Sequence, residues 1–294
     1  MTDQRDSKVW VEGHVVDGHK ARISVFDHGL LYGDGLFEGI RIHGGGIFRL
    51  PDHLRRFAAG AKALGLTLPG GLEKVESIVL ETARAYQKEE GYIRLLATRG
   101  CGELGVDPTT CESPQLICIA KSVSLYPVEK LESGIELITS SFRRPSLDAL
   151  DPAIKSLNYL NNVLAKREAR LRGADEALLL NSAGMVAEAS VANLFVVHAG
   201  HLSTPNVTDG ALPGITRWSI ATLATELGIP FGERSLGRQD LFSADEVFLT
   251  GTGAGIVPVA SFDGAEIGLP GRGPVTRRLS EGFSRFMGQN LTPF

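Results

Sequence analysis

A chain of 294 residues has room for two ordinary domains and a sizeable core. With 43% hydrophobic and 22% charged residues it has the composition of a soluble globular protein, and 30 Lys+Arg against 34 Asp+Glu give a formal net charge of −4. That balance leaves no basic field to hold nucleic acid or an anionic membrane, so small-molecule chemistry is the expectation.

Cys101, Cys111 and Cys118 are odd in number and lie at no zinc spacing, which suggests neither a disulfide framework nor a metal site. The opening Met1 to Lys8 lacks the apolar core of a signal peptide, and no apolar run approaches the roughly 18 residues of a membrane span. The expected location is the cytoplasm. The 35 glycines cluster at turns, as in a protein that brings backbone close to a ligand.

In chain order, Val9 to Val16 reads as a short hairpin turning at Glu12-Gly13, and Ala21 to Phe26 as another strand. Gly33, Gly35 and Gly39 have the wrong spacing for a dinucleotide loop, and no strand-loop-helix unit surrounds them. Ile40 to His43 and Ile47 to Leu50 flank the turn Gly44-Gly-Gly46. Leu50-Pro-Asp52 opens a helix with the apolar stripe Leu54, Phe57, Ala61 and Leu64, beside which Arg56 would ordinarily be a surface arginine.

A second helix covers about Leu72 to Lys88. Tyr92 to Leu96 is a strand by composition, and period two puts Tyr92 and Arg94 on one face, either at a solvated edge or as a receiver of carboxylates. After the glycine-rich Thr98 to Gly105 comes the strand Gln115 to Ala120. The segment 121–128, with Tyr126-Pro127 in it, is the linker between an N-terminal domain, 1–120, and a C-terminal domain, 129–294.

In the second half, Ile135 to Ser140 is a strand. Asp151-Pro then forces an extended path, after which Leu157, Leu160, Leu164 and Leu171 recur at helical spacing. This predicts a helix packed through its leucines, with Lys155 at its mouth and Tyr159 on it. Glu176 to Leu180 and Met185 to Glu188 form a hairpin around Asn181 to Gly184, and Asn193 to Val197 is a further strand. Ile215 to Leu227 is a helix introduced by Pro213-Gly214, and Asp245 to Leu249 is a buried strand that ends in Thr250 to Gly255.

Taken singly, Lys155 would be a solvated lysine and Glu188 a surface glutamate. Together, Lys155-Ser-Leu-Asn-Tyr-Leu-Asn-Asn162, Glu188 in Val-Ala-Glu-Ala-Ser-Val-Ala-Asn-Leu-Phe195, and Ala211-Leu-Pro-Gly-Ile-Thr-Arg217 resemble the fold-type IV (class IV) pyridoxal-phosphate aminotransferases, nearest to the branched-chain amino acid transaminases. The likeness runs from about Val9 to about Thr276, with the motifs in the family's order.

The resemblance implies an α+β / α/β enzyme of two domains, a smaller N-terminal one and a larger C-terminal one, with pyridoxal 5'-phosphate held between them. Lys155 would form the Schiff base and, once displaced by the substrate's amine, move the proton. Glu188 would pair with the ring nitrogen. Arg56, from a Leu50-x-x-His53-x-x-Arg56 match, would hold the phosphate together with Ile215 and Thr216 at a helix start and Thr252 in its glycine turn. Tyr159 would contact the phenolic oxygen.

Tyr32, Phe37, Tyr92, Arg94, Gly253 and Ala254 would bind substrate, Phe37 walling the apolar side while Tyr32 and Arg94 answer the γ-carboxylate of glutamate. The implied reaction moves an amino group between a branched-chain L-amino acid and 2-oxoglutarate. Tyr92 and the 98–105 loop commonly complete the neighbouring subunit's pocket in this family, which implies a homodimer.

Departures from the family pattern lie near the substrate. Glu188-Ala-Ser-Val191-Ala-Asn193 carries methyl and isopropyl groups where glycines are common, and Gly251-Thr-Gly-Ala-Gly255 lacks a usual acidic residue. A D-amino acid or (R)-amine transaminase, an aminodeoxychorismate lyase, and a cofactor-binding protein without turnover are the competing readings.

Overall fold

The computed structural model describes residues 6–268 and 271–294. Its first hairpin joins β1 (Lys8–Val11) to β2 (His14–Asp17) through Glu12 and Gly13, both at positive φ (50° and 90°), which matches the right-handed twist of the strands. Ala21 to Phe26 is not a strand. It finds no sheet partner among the described residues, and Ile23, Val25 and Phe26 stay 50%, 67% and 51% exposed. Its apolar alternation marks a face that the described residues do not cover.

The first body continues with α1 (His28–Tyr32), β3 (Gly35–His43), β4 (Gly46–Phe48), α2 (Leu50–Ala63), α3 (Gly71–Tyr86), β5 (Gly91–Thr98) and β6 (Gln115–Lys121). With the C-terminal strand Leu291–Pro293 these strands make a seven-stranded antiparallel sheet in which β3 lies between β4 and β5. Leu36, Ile40, Ile42, Ile93, Leu95 and Ala97 turn one face towards Leu50, Leu54 and Phe57 of α2 and Val75, Ile78 and Val79 of α3, forming one core. The opposite face carries Phe37, Gly39, Tyr92 and Arg94.

The second body contains α4 (Val128–Ser133), β7 (Ile135–Arg143), α5 (Leu160–Leu171), β8 (Glu176–Leu180), β9 (Val186–Ala189), β10 (Asn193–His198), β11 (His201–Thr204), α6 (Ile215–Glu226), β12 (Phe231–Glu233), α7 (Arg238–Phe242), β13 (Glu246–Gly251), β14 (Gly255–Phe262) and β15 (Ala265–Glu266), followed by α8 (Pro274–Gln289). Its mixed sheet runs in the order β12, β11, β10, β13, β14, β7, β8, β9, with β15 on β14.

Two features of the chain's division differ from expectation. The bodies divide between Val123 and Ser124, inside 121–128, but Ile154–Asn158 and Met287–Phe294 fold with the first body. Lys155 therefore belongs to the N-terminal sheet and not to the 129–294 body. Accordingly α5 begins only at Leu160, and Tyr159 stands at its cap, not within it. The helix packs through Asn162, Ala165 and Ala169, while Leu160 and Leu171 are 68% and 71% exposed. Small side chains let α5 lie close on β7 and β8, where Ala165 and Ala169 cluster with Ile138, Ala177 and Leu179.

Candidate active site

Lys155, the expected reactive lysine, is placed by pairing across the sheet edge. Near its start β3 is not yet joined by β4, which pairs only with Ile42 and His43. Residues 155–157 take the vacant edge: Ser156 pairs with Leu36, the Phe37 amide donates to the Lys155 carbonyl at 2.9 Å, and the Leu157 amide donates to the Gly35 carbonyl at 2.9 Å. Lys155 thus lies beside Phe37, its Nζ 4.6 Å from the ring centre. Burying a backbone edge in this way fixes the lysine more firmly than a loop would.

Register does the rest. Gly39 stands opposite Arg94 and Arg41 opposite Tyr92, so Tyr92 and Arg94 share the Phe37 face. The Arg94 guanidinium carbon lies 4.5 Å from the Phe37 ring centre and 5.7 Å from that of Tyr92, and Arg94 Nε is buried without a hydrogen-bond partner among the described residues. A buried donor left unpaired is costly unless a ligand takes it up. A Cβ on Gly39 would come 1.8 Å from the Tyr92 hydroxyl, so glycine there is what lets the tyrosine cross the face.

Tyr32 is tied to the 98–105 loop. Its hydroxyl accepts from the Gly105 amide at 2.8 Å, the His28 amide donates to the Gly100 carbonyl at 2.9 Å, and Thr98 Oγ1 donates to Asp27 Oδ2 at 2.8 Å. Arg99 clamps Asp34 with both ends of its guanidinium, at 2.8 and 3.0 Å. The loop is therefore braced against 26–34, the stretch that carries Tyr32.

On the core face of the same sheet, Arg56 Nε and Nη2 donate to the two oxygens of Glu38 at 2.8 Å each, and His53 Nδ1 is 2.8 Å from Glu38 Oε2. Burial would raise the Glu38 pKa, yet the Arg56 charge and the His53 bond together outweigh it and hold the carboxyl at about 2. Burial keeps His53 below its ordinary value despite Glu38, with the Arg56 and Lys155 charges adding to the effect. Glu38 was not singled out from the sequence, although its place between Leu36 and Ile40 on an apolar period-two face marked it as a buried carboxylate.

In the second body Glu188 is buried, not a surface residue. Its Oε1 pairs with Arg144 Nη2 at 2.8 Å, and its Oε2 accepts from Asn193 Nδ2 and the Leu212 amide, each at 3.0 Å. Arg144 also reaches the Gly210 carbonyl at 3.0 Å and Asn162 Oδ1 at 3.2 Å, and Asn162 donates to the Ser190 carbonyl at 2.6 Å. These donors hold the carboxylate in one orientation. Sequence reasoning missed Arg144; an arginine just past a strand end gives no signal of a partner 44 residues away.

Ile215 and Thr216 open α6 and are buried; no side chain caps the helix at Gly214, where a Cβ would lie 2.0 Å from Asn193 Oδ1. The helix start, Asn193 and Glu188 are thereby locked together. Thr216 Oγ1 lies 3.4 Å from Thr252 Oγ1, which places the expected phosphate-binding hydroxyls side by side. Thr252, Gly253 and Ala254 form the turn from β13 to β14, closed by Gly251 opposite Gly255. Val191 is 56% exposed.

These residues fit pyridoxal phosphate. Taken by itself, each body carries groups of the kinds this cofactor binds: in the first, an amine on an aromatic face and a guanidinium nitrogen without a hydrogen-bond partner among the described residues; in the second, a fixed buried carboxylate and an uncapped helix start with two hydroxyls. Among similar proteins, a Methanocaldococcus jannaschii chain provisionally named a branched-chain-amino-acid aminotransferase is 47% identical over 278 residues, covering 94% of this chain and 95% of that one. A solved branched-chain amino acid aminotransferase of T.th., complexed with N-(5'-phosphopyridoxyl)-L-glutamate, superposes with a TM-score of 0.90 at 37% identity, covering 97% of this chain and 98% of that one. The D-alanine aminotransferase of Staphylococcus haemolyticus is 34% identical over 282 residues, covering 96% and 98%. The amino-transferase class IV family profile matches residues 35–262, which include Arg56, Lys155, Glu188, the 211–217 segment and Thr252, and the chain belongs to that family.

Proposed function

We propose that this chain is a pyridoxal-phosphate-dependent transaminase that moves an amino group between a branched-chain L-amino acid and 2-oxoglutarate. The observation that carries the reading is the face shared by Lys155, Phe37, Tyr92 and Arg94, where an apolar ring and a carboxylate receiver stand beside one amine. The names of the archaeal relative and of the T.th. complex support the same substrates and cofactor.

Bound to this chain, the cofactor supplies an aldehyde that exchanges nitrogen and a ring that takes up an electron pair. Lys155 would hold the cofactor through its amine and would remove and return the proton at the substrate's Cα. Glu188, held by Arg144, Asn193 and the Leu212 amide, would pair with the ring nitrogen. Arg56, Ile215, Thr216 and Thr252 would hold the phosphate, and Tyr159 would contact the phenolic oxygen. Arg94 and Tyr32 receive the γ-carboxylate of glutamate, Phe37 contacts an aliphatic side chain, and Tyr92, Gly253 and Ala254 complete the substrate contacts.

The same proposal includes a homodimer in the cytoplasm. Ile23, Val25, Phe26 and Leu30 are 50–67% exposed, and Leu104 and Val106 are 73% and 81% exposed, an apolar surface of the kind a second copy covers. No helix among the described residues is long and apolar enough to cross a membrane.

A half-reaction screen tests the function. The purified yellow protein is expected to lose its absorbance at the blue edge of the visible with L-leucine or L-glutamate. Bleaching by D-alanine alone would move the protein to the reading suggested by its Staphylococcus haemolyticus relative.

A further inference from the structure

The face of β3 that turns towards α2 and α3 carries Leu36, Ile40 and Ile42, and among these aliphatics one carboxylate, Glu38, whose side chain is 1% exposed. His53 and Arg56, one turn apart on α2, both reach it, with side chains 0% and 13% exposed. A buried ion pair adds little net stability over well-packed apolar residues. Retaining one inside this core calls for an explanation in orientation.

The geometry supplies it. A guanidinium is a planar fork of five N–H donors. Glu38 engages the Nε and Nη2 edge with two 2.8 Å bonds, which fixes the plane and therefore the direction of every remaining donor. His53 fixes the carboxylate in turn, its Nδ1 lying 2.8 Å from the same Oε2 that receives Nη2. Carboxylate and guanidinium cancel in charge, so the cluster can hold an anion through aimed N–H groups and not through net positive charge.

We propose that Glu38, braced by His53, is a positioning residue that aims Arg56 at the cofactor's phosphate. This rests on the reading of Arg56 as a phosphate-binding residue. Glu38 touches no reacting atom; it acts through Arg56. Glu38→Gln keeps the shape but presents an amide NH2 to a ring of donors, so the fork is no longer held in one orientation.

The test compares pyridoxal phosphate with pyridoxal, which lacks the phosphate, in titrations of the full-length apoprotein followed by quenching of intrinsic fluorescence. Arg56→Ala should abolish most of the preference for the phosphorylated form. Glu38→Gln should weaken pyridoxal phosphate binding roughly tenfold to a hundredfold, the worth of a hydrogen bond to a charged group, with pyridoxal binding unchanged. The double variant should bind no more weakly than Arg56→Ala alone.

If Arg56→Ala keeps the preference, the reading of Arg56 itself fails. If Arg56→Ala loses it while Glu38→Gln keeps it, or if the two losses add in the double variant, the positioning role of Glu38 fails and Arg56 stands. Should Glu38→Gln not fold, Glu38→Asp, which keeps the charge but shortens the reach, should lose the preference to a similar degree; an unchanged preference in that variant would overturn the proposal.

Discussion

The Lys155 amine and the Arg94 guanidinium approach one aromatic ring, at 4.6 and 4.5 Å from the centre of Phe37. An aromatic face attracts a cation by about 0.5 to 2 kcal/mol, so Phe37 orients both groups beside the substrate contact proposed for it. Replacing it with leucine retains apolar bulk and removes the quadrupole. Phe37→Leu is expected to load cofactor normally and to slow the L-leucine half-reaction by roughly tenfold in stopped-flow absorbance. An unchanged rate would show that the ring serves as a wall alone.

Arg94 separates the two substrates of the proposed reaction. Leucine has no second carboxylate, whereas glutamate presents one to a guanidinium whose Nε is buried without a partner among the described residues. Arg94→Met should raise KM for 2-oxoglutarate by roughly tenfold to a hundredfold, as expected for a lost charge-assisted bond, and change KM for L-leucine far less. Equal losses for both would place Arg94 at the α-carboxylate instead.

The local features of this fold were legible in the sequence. Hairpins at Glu12-Gly13 and Gly44-Gly-Gly46 follow from turn chemistry, and period two was enough to put Tyr92 and Arg94 on one face. What was misread depends on partners distant in sequence. The leucines of 157–171 imitate a core stripe, but α5 packs through alanines because the sheet beneath it is close, and Leu36 captures Ser156 before the helix can begin. The alternation of Ala21 to Phe26 finds no burying surface among the described residues, and Ile23, Val25 and Phe26 stay exposed. Lys155, Glu188 and Arg56 are singled out by their motifs, whereas Glu38 and Arg144, which pair with Arg56 and Glu188, have no local signature.

Arg144 and Glu188 form a buried pair, each side chain 6% exposed. Removing one partner of such a pair strands the other charge and typically costs about 3 to 5 kcal/mol. Arg144→Met should therefore lower the melting temperature clearly, by several degrees in differential scanning calorimetry. Glu188→Gln, which retains the bonding oxygen, should slow the half-reaction more than it weakens cofactor binding. A reversed order, with cofactor lost and rate retained, would place the carboxylate away from the ring nitrogen.

Acid should undo the Glu38 cluster in two stages. The folded His53 pKa is depressed below its ordinary 6.5, chiefly by burial, so the unfolded chain binds the proton more readily and this contribution to stability fades as pH falls below 6.5. The Glu38 carboxyl goes from 4.5 to about 2 on folding, because Arg56 and His53 together outweigh the opposing effect of burial. Its contribution, on the order of a few kcal/mol, is complete above 4.5 and is lost as pH falls from 4.5 towards 2. Urea unfolding measured between pH 7 and 3 should show wild-type stability falling across both windows, while Glu38→Gln, less stable at pH 7, shows a flatter slope below 4.5. Parallel curves for the two proteins would mean that the Glu38 pKa does not change on folding.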